Sequence, residues 1–381
     1  MKKNTKLFIG ITAPQSVDLL NGQLKHFRKK GYDVYLLAPK TDQVVDFCKQ
    51  EDVKLLSISI KRNPHPLYDI YTLLQLIWVF FKEKPDIVNL GTPKMSLLGL
   101  VAARVIGVPY RIYTCHGFRF EHEKGFFGKF LMWIEKVTAS CAHKIICVSP
   151  SVKDLGVRAG IFSREKAIHI GKGSNNGIDL TLFDPRCIKE RDRQEMRDYY
   201  GLNGYFVFGF VGRLVDRKGI TELYAAFDRF YRENSNIKLL MVGRPYWDQI
   251  RDKDIIEKYH NHPGIIMAGL QPPDTIPLFL SVFDAFVLPA WWEGFGNVLI
   301  QAAAMGVPII STQATGCKDA VSDGFNGMLV EPHSPEKFEK AMRFFYDHRD
   351  KIEEYGRNGR IWAKNFQPEI IWKGIEKAYQ L

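Results

Sequence analysis

Apolar and polar residues follow two periods along this chain. Short apolar runs rich in β-branched residues are each followed by an amphipathic stretch with helical spacing. In the first half the predicted strands are 7–12, 34–38, 55–58, 87–90, 110–114, 144–148 and 167–170, and the predicted helices are 17–30, 44–51, 67–81, 94–106, 126–142 and 151–159. This alternation indicates βαβ units, a parallel sheet and a Rossmann-like domain with helices on both faces.

A second series of the same kind follows an interruption at 172–203, where turn residues precede a charged helix. We interpret this segment as a linker between a domain at 1–171 and a domain at 204–363. A closing helix at 364–381 is expected to cross back to the first domain. The predicted fold is therefore α/β, with two Rossmann-like domains facing an interdomain cleft. In the second domain the predicted strands are 206–211, 237–242, 265–267, 285–288, 308–311 and 328–330, and the main predicted helices are 220–233, 247–259, 273–282, 297–305, 335–348 and 351–365.

Length and composition agree with two globular domains, because 381 residues with 46% hydrophobic content exceed what one core usually organises. The N-terminal apolar run is short and lacks a small-residue cleavage site, so we interpret it as the first strand rather than a signal peptide. The segment Leu73–Phe81 is too short to span a bilayer. Six cysteines without CxxC or zinc spacing favour free thiols over a redox or metal role. We expect a cytoplasmic protein.

Charge is distributed unevenly. Residues 1–175 carry 27 basic and 14 acidic side chains, whereas residues 176–381 carry 26 and 28. The basic half is expected to face an anionic partner, which can be nucleic acid, an anionic membrane leaflet or a phosphorylated acceptor. A basic face that binds nothing is the alternative.

Two groups of candidate residues lie at strand ends of the second domain. Arg213 and Lys218 follow an apolar strand and precede a helix, where fixed positive charge suits a diphosphate. Basic residues on a solvated loop are the alternative. Glu293 lies between a strand and a helix, with Gln301 eight residues later, and these side chains suit sugar and ribose hydroxyls. A carboxylate that only stabilises the helix N-terminus is the alternative there.

Two further groups of residues are weaker candidates for a ligand-binding site. His116 ends a first-domain strand and could bind a substrate hydroxyl, although a lone histidine is often structural. The strand ends at Gly243-Arg244 and Gly269-Leu270 could present backbone groups to a nucleobase, but glycine at a strand end is common.

Taken in order, GRLVDRKG, AGL and LPAWWEGFGNVLIQAAAMGVPIIST resemble the nucleotide-sugar domain of retaining GT-B glycosyltransferases of family 4. NGID at 176–179 resembles the linker motif of that family, and TCHG is the main match in the first domain. The resemblance implies that Arg213 and Lys218 stabilise the leaving diphosphate, that Glu293 binds donor-sugar hydroxyls, and that His116 contacts the donor sugar. The other donor-binding positions it implies are Gly212, Arg244, Leu270, Gly294, Phe295, Gly296, Asn297 and Gln301.

The chain departs from the family at three places. The second glutamate of the Glu-x7-Glu pair is Gln301, the first loop reads TAPQS instead of containing a glycine pair, and Asp319 replaces a glutamate. No DxD motif lies at a strand end, so we expect no metal and no cofactor, with the nucleotide sugar, most often a UDP-sugar in this family, as substrate. We expect front-face transfer with retention, because no carboxylate nucleophile is evident.

The basic first half of the chain indicates what kind of acceptor the protein binds. Cations lie among aromatic residues near Lys61 and through 119–130, and this mixture suits a membrane surface that presents a polyprenyl-diphosphate-linked saccharide. Core packing of the phenylalanines is the alternative. Two other functions stay open: a nucleotide-sugar epimerase or hydrolase, and a basic nucleic-acid-binding protein, although no nucleic-acid module is evident. The residues expected to face acceptor or membrane are Lys25, Arg28, Lys29, Lys30, Arg119, Phe126 and Phe127.

Overall fold

The computed structural model describes residues 5–123 and 125–380. Residues 1–4, 124 and 381, which include the start of the predicted first domain and the end of the predicted closing helix, lie outside the described residues. The chain forms two compact units: the first contains the described residues up to Asn176 and from Pro368 onward, and the second is Gly177–Gln367. Each unit is built on one parallel sheet, which confirms the predicted fold class of two Rossmann-like domains.

The first unit contains seven strands in the order β3-β2-β1-β4-β5-β6-β7. The order reverses between β1 and β4, and such a reversal leaves a crevice at the carboxyl ends of the strands. The strands are β1 (Lys6–Gly10), β2 (Asp33–Ala38), β3 (Lys54–Ser57), β4 (Ile87–Leu90), β5 (Tyr110–Cys115), β6 (Lys144–Cys147) and β7 (Ala167–His169). The helices are α1 (Gln23–Lys29), α2 (Asp42–Glu51), α3 (Pro66–Glu83), α4 (Pro93–Ile106), α5 (Gly125–Cys141) and α6 (Pro150–Arg158).

Two separate cores cover the two faces of this sheet. Successive side chains of a strand point to opposite faces, so Leu7 and Ile9 enter one core and Phe8 enters the other. The core around Phe8 is closed by α3, α4, α5 and α6, and the core around Leu7 is closed by α1 and α2. The last helix, α15 (Pro368–Tyr379), completes this second core with Ile371 and Ile375, as expected for a closing helix that returns to the first domain.

The second unit contains six strands in the order β10-β9-β8-β11-β12-β13, with the reversal between β8 and β11. The strands are β8 (Phe206–Val211), β9 (Ile237–Val242), β10 (Ile265–Gly269), β11 (Ala285–Leu288), β12 (Ile309–Thr312) and β13 (Gly327–Val330). The helices are α7 (Glu190–Tyr199), α8 (Ile220–Glu233), α9 (Asp254–Asn261), α10 (Ile276–Ser281), α11 (Asn297–Ala304), α12 (Cys317–Ala320), α13 (Pro335–Asp347) and α14 (Arg349–Ala363).

Two predicted helices are interrupted. The segment 17–30 forms a 3-10 helix at Pro14–Leu20 and then α1, with Gly22 in the left-handed region at φ 74° between them. The Glu51 carboxylate holds this break open, because it accepts hydrogen bonds from the backbone N–H groups of Gly22 and Lys25 at 2.8 and 2.9 Å. The segment 247–259 likewise splits into a 3-10 turn at Trp247–Gln249 and α9, whose start is fixed by the Asp252 side chain.

The segment predicted as a linker lies mostly in the second unit. Its charged helix, α7, is attached there by Arg197, whose guanidinium donates to the carbonyl oxygens of Leu202, Tyr205 and Val282 at 2.8 to 3.2 Å. The unit boundaries fall at 176/177 and 367/368 instead of at the predicted 171, 204 and 363.

Candidate active site

Glu293 lies in the loop between β11 and α11, at the carboxyl edge of the second sheet. Its backbone N–H donates to the carbonyl oxygen of Thr315 at 2.9 Å, which ties this loop to the one that follows β12. The residue is 9% exposed. A carboxylate is therefore fixed and buried at the place where the sheet order reverses.

The loop after β8 brings two cations to this carboxylate. It passes through a 3-10 turn at Asp216–Lys218 and enters α8 through Gly219, at φ 71°. A Cβ atom at position 219 would lie 1.9 Å from the carbonyl oxygen of Pro289, so only glycine permits this approach. The backbone N–H of Trp291 also donates to the carbonyl oxygen of Arg217 at 2.9 Å. The two loops thus hold each other in register.

Lys218 and Arg217 both bind Glu293. Lys218 Nζ lies 2.5 Å from Glu293 Oε1, and a guanidinium nitrogen of Arg217 lies 3.2 Å from the same oxygen. Burial alone would raise the pKa of Glu293, but Lys218, Arg217 and, more weakly, Arg213 outweigh it and hold that pKa below its ordinary value. Glu293 is therefore an anion at neutral pH and is suited to accept hydrogen bonds.

The cluster carries excess positive charge. Arg213, Arg217 and Lys218 are three cations within electrostatic range of one carboxylate, so the group has a net charge of +2. The nearby Asp216 does not reduce this charge, because its carboxylate faces Arg251, with oxygens 3.0 and 3.3 Å from the backbone nitrogen and 3.7 Å from Nε. A net charge of +2 beside an open strand end favours a dianionic ligand such as a diphosphate.

Tyr246 lies beside both predicted arginines. Its ring centroid is 5.4 Å from Cζ of Arg213 and 5.3 Å from Cζ of Arg244, which are cation–π distances. The backbone places it there, because the Leu214 N–H donates to the Arg244 carbonyl and the Tyr246 N–H donates to the Leu214 carbonyl, at 3.0 and 3.1 Å. One aromatic ring therefore orients two guanidinium groups at neighbouring strand ends.

The other predicted donor residues differ in what they offer. Leu270 follows β10 and is 65% exposed, and Gln301 lies partly buried in α11. Gly294, Gly296 and Asn297 form the approach and first turn of α11, and Gly212 donates its N–H to the Val242 carbonyl at 2.9 Å. The Phe295 side chain is only 9% exposed and packs on Phe366, with ring centroids 5.3 Å apart. The Phe295 side chain therefore belongs to the core, and this position offers a ligand only its backbone.

His116 belongs to the first unit, where it lines a cavity of about 30 Å³ at the carboxyl edge of the sheet. Its neighbours there include Asn89, Thr92, Thr114 and Asn175. The ring packs on Gly91, where an added Cβ atom would lie 2.7 Å from Nε2. The residue keeps some accessible surface, yet protein surrounds the ring closely enough that burial lowers the pKa of His116 to about 4. The imidazole is therefore neutral at neutral pH.

The residues predicted to face acceptor or membrane lie on two faces of the first sheet. Lys25, Arg28 and Lys29 lie on α1 and Lys30 follows it, on the face closed by α2 and α15. Arg28 pairs with Asp52, and Lys30 lies 3.9 Å from Glu376. Phe126 and Phe127 lie on α5, on the opposite face, and Arg119 precedes that helix. These residues therefore lie on opposite faces of the sheet, and the phenylalanines are exposed and do not belong to the core.

Arg217 and Tyr246 are site residues that the sequence did not predict. Arg217 adjoins Lys218, so the dense charge of the DRK turn was the available signal, but only the fold turns its guanidinium to Glu293. No signal pointed to the hydrogen-bonded chain beneath His116, in which Thr114 donates to Asn89 Oδ1 at 2.6 Å and Asn89 donates to the Tyr379 hydroxyl at 2.8 Å. Among the described residues, no group of three or more His, Cys, Asp or Glu side chains is placed to hold a metal ion.

A fold of two parallel-sheet units with a cationic cluster at a strand end defines a GT-B type enzyme, and the comparisons with known proteins agree. The family model described as "Glycosyl transferases group 1" matches residues 192–362, and that described as "Glycosyltransferase Family 4" matches residues 23–182. The chain belongs to the group 1 glycosyltransferases, with a family 4 N-terminal domain.

Individual relatives are similar over nearly their whole lengths. The capsular polysaccharide biosynthesis glycosyltransferase CapM of Staphylococcus aureus is 35% identical, over 99% of this chain and 97% of that protein. The UDP-Gal:alpha-D-GlcNAc-diphosphoundecaprenol alpha-1,3-galactosyltransferase of Escherichia coli is 29% identical, over 97% and 94%. The structure of Anabaena HepE in complex with UDP and glucose matches with a TM-score of 0.82 at 18% identity, over 98% of this chain and 99% of that one, which confirms the fold.

Proposed function

We propose that this glycosyltransferase moves a sugar from a nucleoside-diphosphate sugar, and specifically a UDP-sugar, to a saccharide carried on a polyprenyl diphosphate. The net charge of +2 around Arg213, Arg217 and Lys218 is the observation that carries the donor class, because it matches a diphosphate. Two relatives support the finer terms. The Escherichia coli relative is named for a UDP-galactose donor and a diphosphoundecaprenol acceptor, and the Staphylococcus aureus relative is named for capsule synthesis.

The residues of the second unit would act mainly on the leaving group. As the bond between the anomeric carbon and the phosphate oxygen breaks, negative charge grows on the diphosphate, and Arg213 and Lys218 stabilise it. Glu293, ionised and held by Lys218, accepts hydrogen bonds from donor-sugar hydroxyls. The acceptor oxygen forms the new bond on the same face, and its proton passes to the departing phosphate oxygen. The anomeric configuration is then retained, and an inverted product in the NMR spectrum would refute this route.

His116 would contact the donor sugar as a neutral imidazole, since burial lowers its pKa to about 4. A neutral ring can accept a hydrogen bond from a sugar hydroxyl or donate one, depending on its tautomer. It would therefore orient the sugar and would not act as a fixed cation.

We also propose that the reaction needs no metal ion, because the arginine and lysine side chains provide the charge that a divalent cation supplies elsewhere. Sugar transfer should then continue after treatment with EDTA and should not rise on addition of Mg²⁺ or Mn²⁺. The enzyme would work at the inner face of the cytoplasmic membrane, as a peripheral protein, where a lipid-linked acceptor is available.

A panel of nucleotide sugars tests the donor assignment directly. A UDP-sugar should raise the melting temperature of the intact protein more than GDP-, ADP- or TDP-sugars do. Arg213→Ala should abolish that shift, whereas Arg232→Ala, which removes an exposed arginine paired with Asp228 on α8, should leave it unchanged. A shift that survives Arg213→Ala would contradict the site.

A further inference from the structure

Helix α3 is apolar on two opposite sides. Its inner side packs into the first unit through Leu76, Val79 and Phe80. Its outer side repeats large apolar residues at intervals of three or four, which places them in one stripe about 21 Å long. The exposed fractions of that stripe are Leu67 78%, Ile70 56%, Tyr71 54%, Leu74 59%, Trp78 59% and Phe81 66%. A helix that is apolar all round is normally buried on every side.

Helix α5 adds a second group to the same layer. Its exposed residues are Phe126, Phe127, Phe130 and Trp133, of which Phe126 is 87% exposed and Trp133 60%. Helix α4 packs between α3 and α5, so the three helices form one layer over the sheet. We call the exposed apolar residues of α3 and α5 together the outer helix surface. Exposed apolar groups of this extent mark an interaction site.

Cations border this surface at both ends of α3. Lys61 and Arg62 precede the helix, and Lys82 and Lys84 lie at its end. Lys61 Nζ lies 4.5 Å from the Tyr68 ring centroid, and Lys82 Nζ lies 4.9 Å from the Trp78 ring. The two acidic side chains of α3 are both paired, Asp69 with Lys94 at 2.8 Å and Glu83 with Lys6 at 3.7 Å.

We propose that the outer helix surface is a membrane-binding face, on which α3 lies in the interfacial plane of a bilayer that contains anionic lipid. The aromatic and aliphatic side chains would enter the boundary between headgroups and acyl chains, and the bordering cations would meet lipid phosphates. No helix in the described parts of the chain is long and apolar enough to cross a bilayer, so this contact is peripheral.

Charge complementarity favours a bilayer over a second copy of the chain. In a symmetric dimer through α3, both copies would bring Lys61, Arg62, Lys82 and Lys84 to the same interface, where like charges repel. An anionic lipid surface instead attracts every one of these groups.

The surface also reaches the edge of the sheet that carries His116. Strand β5 ends at Cys115, and the chain then passes through His116 and a 3-10 turn at Arg119–His122 before α5 begins. The ion pair of Lys94 with Asp69 joins the first turns of α3 and α4 at that same edge. A diphosphate held at headgroup depth would therefore lie near the carboxyl edge of the first sheet. This last step rests on the proposed lipid-linked acceptor, whereas the membrane contact itself does not.

Vesicle co-sedimentation of the full chain tests the membrane contact. The unaltered protein should bind phosphatidylglycerol–phosphatidylethanolamine vesicles more strongly than phosphatidylcholine vesicles. The double variant Leu74→Gln, Trp78→Gln should lower the partition coefficient at least about tenfold, because binding scales with the apolar area inserted. A matched control, Leu182→Gln with Tyr199→Gln, changes two exposed apolar residues of the second unit and should bind as the unaltered protein does.

A second pair of variants tests the charges. Lys61→Gln with Lys82→Gln should weaken binding to the anionic vesicles about tenfold or more, and added salt should reduce that difference. Lys25→Gln with Lys29→Gln, on the opposite face of the sheet, should have little effect.

Three results would overturn the proposal. The first is that the unaltered protein stays in the supernatant with anionic vesicles. The second is that the Leu74→Gln, Trp78→Gln variant and its control lose vesicle binding equally. The third is that the protein binds no vesicles and forms a dimer in sedimentation velocity, which dissociates in the Leu74→Gln, Trp78→Gln variant. Circular dichroism and the melting transitions of each variant show that both units are folded, because the UDP-dependent melting shift reports only the second unit. Loss of that shift in the unaltered protein would contradict the donor assignment alone, so the two failures are distinguishable.

Discussion

Glu293 combines burial with two direct cationic partners, and this combination decides its chemistry. A buried carboxylate without partners takes up a proton, but Lys218 and Arg217 hold this one in its charged form. It can then accept hydrogen bonds from sugar hydroxyls without a change of protonation state. The same pairing holds Lys218 in place beside the position proposed for the diphosphate.

The variant Glu293→Gln distinguishes the two roles of this residue, which are binding the sugar hydroxyls and positioning Lys218. We expect the rate of sugar transfer, as kcat/KM, to fall about a hundredfold, because the amide is a weaker acceptor for the sugar hydroxyls. Binding of UDP should stay within a few fold, since all three cations remain. Glu331→Gln, at an exposed residue that pairs with Lys337, is the control and should keep full activity. Equal losses of UDP binding and transfer would show that Glu293 acts only by holding the cations.

We expect Lys218→Met to raise the pH at which acid begins to destabilise the folded protein. The folded-state pKa of Glu293 lies below the ordinary 4.5, so its ionisation stabilises the fold above that pH, and the contribution is lost as pH falls through the folded-state pKa. Without Lys218, the pKa should rise and the loss should begin at higher pH. At pH 7 the free energy of unfolding should fall by about 3 kcal/mol. Urea unfolding from pH 3 to 7 measures both effects.

Lys258→Met is the control for this pH series. Lys258 is half exposed and lies 3.5 Å from Asp252, so the substitution should cost less than about 1 kcal/mol and leave the pH profile unchanged. An identical profile for Lys218→Met would mean that the ion pair with Glu293 does not set its pKa.

Gly91 and His116 should behave as one functional group. An alanine Cβ at position 91 would stand 2.7 Å from His116 Nε2 and displace the ring. We expect Gly91→Ala to slow transfer about tenfold through this displacement. In a His116→Ala background, the same substitution should have almost no further effect, and a double-mutant cycle on kcat/KM measures that coupling. If the losses in kcat/KM are additive, Gly91→Ala does not act through His116.

At the scale of elements, the close approach of two loops depends on Gly219. Gly219→Ala combines a backbone at φ 71° with a contact of 1.9 Å to the Pro289 carbonyl, whereas Gly201→Ala has a similar φ of 61° and open space around it. Gly201→Ala should therefore cost about 1 kcal/mol of stability, and Gly219→Ala at least about 3 kcal/mol. Urea unfolding compares the two, and Gly219→Ala should also weaken UDP binding because it separates Arg217 and Lys218 from Glu293. If the two variants lose the same free energy of unfolding, the contact of Gly219 with the Pro289 carbonyl does not contribute to stability.

The sequence predicts elements well where apolar period and punctuation agree. Strands such as Phe206–Val211 and Ala285–Leu288 lie at their predicted bounds, because each apolar run ends at a turn residue. The prediction of one continuous helix at 17–30 is wrong because the apolar spacing continues through Gly22. The break depends on Glu51, which lies 29 positions from Gly22 along the chain. Arg213, Lys218 and Glu293 could be proposed from the sequence because strand-to-loop junctions locate the ligand edge of a parallel sheet. Arg217 and Tyr246 could not, since their roles depend on side-chain direction.

At the scale of the whole molecule, α15 determines whether the first unit is complete. Ile371, Ile375 and Tyr379 are all buried in the core beneath α1 and α2, and the Tyr379 hydroxyl accepts a hydrogen bond from Asn89. A chain truncated after Gln367 should lose transfer activity and show a much lower melting temperature for the first unit. A UDP-sugar should still stabilise the second unit, whose own contacts are intact. Calorimetry with and without donor distinguishes the two transitions, and loss of both would contradict this independence.

The place of α15 also affects the order in which the chain can fold during synthesis. The second unit is complete once residue 367 has been made, whereas one core of the first unit still lacks a helix at that moment. The unit whose residues come first along the chain is thus the later of the two to close. Until then its apolar sheet face between α1 and α2 stays open, and released chains that end between residues 367 and 379 should be the species most prone to aggregate or to recruit chaperones.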